Sequence, residues 1–195
     1  MNKTDQIINF YHQAPGVHSF KELIAAGGYS VLLKKLVNEN ILEEVAKGFY
    51  RLTEQEEPEY AELETIAAIV PQGIFCLFSA LEFHGIGTQK SFDYHLAIPC
   101  GKRAPQRPEF SIHTYIFCNK AYGSGIEQHG SIKVYSIAKT VADCFKFRNQ
   151  IGLDVALEAL KDVLKNRRAT VAEIMDQAKV CRMKNVMMPY LEFYS

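Results

Sequence analysis

SVLLKKLVNENILEEVAKGFYRL, residues 30–52, changes rhythm at its middle. In its first part Leu33, Leu36 and Val37 fall on one helical face, while Lys34, Lys35 and Asn38 lie largely off it. Ser30 stands where a cap for that helix is expected. The second part reads as a hairpin: ILEEVA, a turn at Lys47-Gly48, then FYRL. A helix running directly into a hairpin with a cation at its tip is the feature around which the rest of the N-terminal region is organised.

Upstream, Ile7, Ile8, Phe10 and Tyr11 give a first helix an apolar stripe, and Ala14, Pro15 and Gly16 stop it. Ser19 caps a second helix with Glu22 three residues on, the spacing at which each side chain satisfies the other's backbone N–H. Gly27 and Gly28 end it where a left-handed turn is easiest. Helix, helix, glycine turn, helix, hairpin is the order of a winged helix-turn-helix. In that motif the second helix enters the DNA major groove, about 12 Å wide. Ser30, Lys34, Lys35 and Asn38 can all donate hydrogen bonds to bases or phosphates, and Lys47 and Arg51 are placed as the wing on the neighbouring backbone.

The net charge is zero, but it is unevenly laid out. Residues 1–52 carry +1, residues 53–70 carry −6 and residues 71–195 carry +5. The acidic run TEQEEPEYAELE marks a boundary. The expected organisation is therefore a winged helix-turn-helix over 1–54, an acidic linker and connecting helix over 55–70, and a larger domain over 71–195. A hydrophobic fraction of 48% with 23% charged residues is that of an ordinary globular chain. No apolar run approaches the ~20 residues of a membrane span, and the first residues lack the layout of a signal peptide, so a cytoplasmic protein is expected.

In the second region GIFCLF (73–78) reads as a strand leading into a short helix. FDYHLAI (92–98), EFSIHTYIF (109–117) and SIKVYSI (131–137) alternate as further strands, with PCGKRAPQRP and YGSGIEQHG between them. Helices follow over 138–148 and 153–165, then in TVAEIMDQAKVC behind a Thr170 cap, and in NVMMPYLEF. Strands first and helices last predict an α+β domain with an antiparallel sheet and C-terminal helices.

Neither GIGTQK nor GSGIEQ completes a dinucleotide-binding glycine pattern, and there is no phosphate-binding Walker sequence and no nucleophile elbow. His95 and His113 sit on strand candidates without a placed carboxylate or thiol, too little for a metal site. Asp154, Glu158 and Asp162 share a helical face and read, with Lys161 and Lys165, as a solvated charged face. The five cysteines, widely spaced and in apolar settings, read as buried free thiols. No catalytic residue, metal or cofactor is expected. Lys102, Arg103 and Arg107 in a proline-held loop, with Lys146 and Arg148 at a helix end, form a possible second basic patch.

KELIAAGGYSVLLKKLVNENILEEVAKGFYRL resembles the N-terminal winged helix of the AbiEi-type abortive-infection antitoxins. LFSALEFHGIGTQ followed by LAIPCGKRAP resembles the start of their C-terminal domain, and IAKTVADCFKFRNQIGLDVALEALKD resembles its helical part. The resemblance implies a bacterial type IV toxin–antitoxin function. Such a protein represses its own operon at inverted repeats in double-stranded DNA and counteracts a cognate toxin of the nucleotidyltransferase class. It implies no catalytic residues in the antitoxin. A regulator of the same build, with a ligand-sensing second domain and no toxin partner, is the alternative.

Overall fold

The computed structural model describes residues 2–53, 59–107 and 109–194, with backbone alone at Tyr194. Residues 54–58, within the acidic run, lie outside the described residues. The chain forms two compact units, residues 1–71 and 72–195.

The first unit runs α1 (Lys3–Gln13), β1 (His18–Ser19), α2 (Phe20–Ala25), α3 (Ser30–Asn38), β2 (Leu42–Ala46), β3 (Phe49–Leu52) and α4 (Ala61–Ile69). Three helices and a hairpin are in the expected places. β1 is an addition, pairing antiparallel with β3 so that the sheet order is β1-β3-β2. Its two residues are too few to show alternation in sequence. The capping box at α2 forms as read: Ser19 N donates to Glu22 Oε2 at 2.8 Å, and Glu22 N donates to Ser19 Oγ at 3.3 Å. Ser30 does not cap α3; it is the first helical residue, and Tyr29 occupies the cap position without a side-chain bond.

The turn between α2 and α3 needs its glycines. Gly27 has φ +99°, and a Cβ at Gly28 would stand 2.8 Å from the Leu23 carbonyl oxygen. Ile7, Tyr11, Leu23, Leu33, Leu36, Leu42 and Leu52 fill the core beneath that turn. Full burial of each such side chain is worth roughly 1.5–3 kcal/mol. The Tyr11 hydroxyl, otherwise stranded there, donates to the Tyr50 carbonyl at 2.9 Å. α4, expected as part of a connector, belongs to this unit and lies against β1 and β3.

The second unit contains β4 (Ile74–Phe75), α5 (Leu77–Phe83), β5 (Tyr94–Pro99), β6 (Ile112–Phe117), α6 (Asn119–Tyr122), β7 (Ile126–His129) and β8 (Ile132–Tyr135). Helices α7 (Ile137–Lys146), α8 (Arg148–Ile151), α9 (Leu153–Lys165), α10 (Val171–Val180) and α11 (Lys184–Tyr194) complete it. The α+β class and the C-terminal helices are as expected, but the sheet is mixed rather than antiparallel. Its order is β6-β5-β4-β8-β7, with β5–β6 and β4–β8 parallel. β6 begins only at Ile112, well after β5 ends at Pro99, and β4 takes its second partner from far downstream. Parallel pairs need such crossovers, which single-strand alternation cannot reveal. β7 lies in the glycine-rich stretch read as a separator, and GIFCLF yields only two strand residues before α5 begins.

α7 is capped by Ser136, whose side chain accepts from Lys139 N, and α10 is capped by Thr170 with a full capping box to Glu173. The core gathers sheet residues such as Ala97, Phe117 and Tyr135 with Val141, Phe145, Leu160 and Ile174 from the helices. Cys76, Cys144 and Cys181 are buried thiols, as expected, but Cys100 and Cys118 are exposed. None of the described helices is long and apolar enough to cross a membrane.

Candidate nucleic-acid interface

α3 buries Leu32, Leu33 and Leu36, half-buries Val37 against the same core, and turns its remaining residues outward. Ser30, Lys34, Lys35 and Asn38 are all exposed. At 3.6 residues per turn, these four positions and Val31 span an arc of about 140°. The structure thus brings the four helix residues together on one displayed face. It adds two that the sequence reading passed over, Val31 (71% exposed) and Tyr29 (51% exposed). Both are apolar bodies, which a polarity-based search ignores. An exposed methyl-bearing side chain on such a helix can meet a thymine methyl in the major groove.

The helix ends cleanly. Asn40 takes φ 54°, a left-handed conformation that asparagine tolerates, while Asn40 N and Ile41 N donate to the carbonyls of Val37 and Leu36. Lys35 Nζ lies 3.7 Å from Glu39 Oε1, with both side chains about half exposed or more. An exposed pair of this kind is worth well under ~1 kcal/mol and exchanges readily for another anion.

The two hairpin residues part company. Lys47 is exposed at the turn, where Gly48 takes φ +77° and its N–H donates to Glu44 Oε1 at 2.8 Å. Phe20 N donates to the Gly48 carbonyl at 2.7 Å, tying the tip to the start of α2. Arg51 is 8% exposed. It faces Glu43 across the hairpin and reaches its carboxylate, Nη2 to Oε2, at 2.8 Å. Its charge also draws down the carboxyl of Glu64 on α4, although burial, the larger influence, leaves that carboxyl raised. Arg51 is therefore held within the domain and is not displayed like Lys47. Parity turns Leu52 toward Leu42 in the core and Arg51 to the opposite face, beside Glu43 and near Glu64 of α4, which lies against β3, and both residues end up buried.

The second basic group also divides. Lys102 and Arg103 are exposed and Arg107 half-buried, and all three line a cleft of about 720 Å³ against the outer side of β5 and β6. Ile98, Phe110, Ile112, Thr114 and Ile116 form its apolar wall. Lys146 and Arg148 are committed to internal partners. Lys146 Nζ sits 4.6 Å from the Phe117 ring centre, and Arg148 Nη1 donates to the Phe145 carbonyl at 2.8 Å.

The interior of this unit carries charge that the sequence reading missed altogether. Lys139 and Asp143, one turn apart on α7, are both fully buried and bonded to each other, Nζ to Oδ2, at 2.5 Å. Cys181 Sγ donates to the other carboxylate oxygen at 3.2 Å, and Lys139 Nζ lies 3.9 Å from the Tyr135 ring centre. Burial raises the Asp143 carboxyl, against the pull of Lys139. Buried His95 contacts Ser91 Oγ through Nε2 at 3.1 Å and the Tyr115 hydroxyl through Nδ1 at 3.0 Å. His113, its register partner, is 3.2 Å from Asp93. Among the described residues no three His, Cys, Asp or Glu side chains gather to hold a metal ion.

The acids on α9 are not merely solvated, as expected from their spacing. Asp162 accepts from Gly87 N at 3.1 Å, Glu158 from Thr88 N at 2.9 Å, and Asp154 from Gln89 Nε2 at 3.3 Å. Three successive turns of the helix thus hold three successive residues of the loop after α5.

The chain matches no family model and no curated protein. It is similar in fold to the RV2827C protein of Mycobacterium tuberculosis, whose crystal structure superposes with a TM-score of 0.62 at 12% sequence identity. The match covers 96% of this chain and 75% of that one. The likeness extends over nearly the whole of this chain, so the two-unit build of a winged helix and a larger α+β domain recurs at very low identity.

Proposed function

We propose that this protein is a winged-helix transcriptional regulator that binds duplex DNA through α3 and the hairpin tip. The reading rests on one observation: Ser30, Val31, Lys34, Lys35 and Asn38 share the displayed face of the helix that a winged helix offers to the major groove. A domain charge of only +1 makes affinity depend on a few well-placed lysines rather than on a general basic field. Binding at inverted repeats would take two copies, one per half-site. In this reading the second domain carries the signal. Its cleft, with Lys102, Arg103 and Arg107 on an apolar wall, suits an anionic ligand with a flat apolar part.

The test is a salt titration of binding to duplex DNA from upstream of the protein's own gene. Replacing Lys34 and Lys35 with alanine should weaken binding at least tenfold. Two lost phosphate contacts should lower the log–log salt slope by about 1.8. An unchanged slope would remove α3 from the interface.

A second reading is that the protein acts in the cytoplasm as a type IV antitoxin that counteracts a nucleotidyltransferase-class toxin. What supports it is the resemblance noted above together with one contact. Two of the stretches that carry it, LFSALEFHGIGTQ and the α9 part of the last, are bonded to each other through Gly87, Thr88, Gln89, Asp162, Glu158 and Asp154. A toxic nucleotidyltransferase gene beside this one, with growth rescued on co-expression, would establish it. No rescue, alongside operator release by a small anion, would leave the regulator with a ligand-sensing domain.

A further inference from the structure

Cys100 follows β5 and Cys118 follows β6, each one residue beyond the paired Pro99 and Phe117 of the two parallel strands. The register therefore sets them side by side, and Cys100 N donates to the Phe117 carbonyl at 3.3 Å, so the pairing persists to that point. Both side chains are exposed, and their sulfurs are 4.0 Å apart. Neighbouring strands are ~4.8 Å apart, inside the Cα separation that a disulfide spans. The other three thiols are buried, and Cys144 and Cys181 are held protonated by burial.

We infer that Cys100 and Cys118 form a redox-modification site: an exposed dithiol that peroxide converts reversibly to a disulfide at the root of the cationic loop. The Cys100 S–H donates to Cys118 Sγ, and this bond raises Cys100 above the usual thiol range. As the acceptor of that S–H, Cys118 is the sulfur assigned the first step. Its thiolate attacks one peroxide oxygen, the O–O bond breaks, and the leaving hydroxide takes a proton, giving a sulfenic acid and water. Cys100 then attacks the Cys118 sulfur, its proton leaving with the sulfenic oxygen as a second water. Two thiols lose two electrons in all, and one peroxide gains them. The bridge closes a ring containing Lys102, Arg103 and Arg107, the cations of the cleft. The chemistry is read on the thiols themselves and stands whether or not the protein binds DNA.

The test is made on the full native chain. Maleimide should label two thiols in the reduced protein and none after hydrogen peroxide, with a mass lower by two hydrogens and both thiols restored by dithiothreitol. Peptide mapping should place the bridge between Cys100 and Cys118. Cys100→Ser should yield a Cys118 sulfenic acid that dimedone traps, with no internal bridge. Two thiols still labelled after peroxide, or a bridge mapped to any other pair, would overturn the proposal. So would Cys100→Ser protein that still forms an internal bridge.

Discussion

The two units each carry a lysine four residues before an acid on a helix, and the two pairs live in opposite worlds. Lys35 and Glu39 on α3 are 63% and 47% exposed and 3.7 Å apart. Lys139 and Asp143 on α7 are 0% exposed and 2.5 Å apart. Identical spacing thus gives one exchangeable surface contact and one locked internal pair. Water decides the difference. An exposed ammonium keeps its hydration and can trade a carboxylate for a phosphate, whereas a buried one has only the partners that the fold supplies. The first unit places its lysines where a ligand can reach them, and the second builds two charges into its core.

The largest expected effect follows from breaking the internal pair. Asp143→Ala leaves a buried ammonium beside the Tyr135 and Phe117 rings with no counter-charge. Stability should fall by about 3–5 kcal/mol. Replacing both residues with apolar ones, Lys139→Met with Asp143→Leu, should recover most or all of that loss, because neither charge is then stranded. Urea unfolding followed by circular dichroism separates the two cases. A cost for Asp143→Ala below about 1 kcal/mol would mean that the ammonium does not depend on this partner, and the contrast between the pairs would collapse.

His95 extends the same contrast to pH. Burial holds its pKa down at about 4, against an ordinary 6.5, with His113 adding to the effect and Asp93 opposing it. The unfolded chain therefore binds the extra proton first. Stability is fully present above about 6.5 and is lost as the pH falls towards 4, by at most about 3 kcal/mol. Measured unfolding free energies should show this decline, and His95→Gln, which keeps hydrogen-bonding groups, should flatten it. An identical decline in the variant would assign the acid sensitivity to other groups.

Much of the first unit was legible because its signals are local. A capping box, two glycines and an amphipathic turn of leucines each act within a few residues, so α2, α3 and the hairpin fell where their side chains put them. The exposed helix face could be read for the same reason. Arg51 could not, because its fate depends on Glu43 across the hairpin and on α4 lying against β3. The second unit defeated local reading wherever pairing was long-range. β4 meets its sheet neighbour β8 only after three further strands have intervened in the chain, and the parallel partner of β5 follows a long loop. Cys100 and Cys118 look apolar in sequence and become exposed only because they lie just past the ends of those strands. Lys139 carries no local signal of burial, which comes only when the sheet and α10 pack around α7.

The smallest effect is the sharpest test of what the surface pair is for. Glu39 caps the C-terminal end of α3, where a negative charge opposes the helix dipole by ~0.3–1 kcal/mol. Its contact with Lys35 returns roughly 0.2–0.5 kcal/mol. The two contributions largely offset each other, so Glu39→Gln should change stability by less than about 1 kcal/mol, if anything upwards. DNA binding should respond differently. Glu39 occupies Lys35 on the face offered to phosphate, and two charges about 4 Å apart in water interact by roughly 1 kcal/mol. Freeing that lysine should tighten binding about two- to fivefold at low salt, with the gain fading as salt is raised. A tighter complex at unchanged stability would mark the α3 pair as a contact made to be exchanged. Unchanged binding would mean that Lys35 faces no phosphate, and the surface pair would then differ from the buried one only in its weakness.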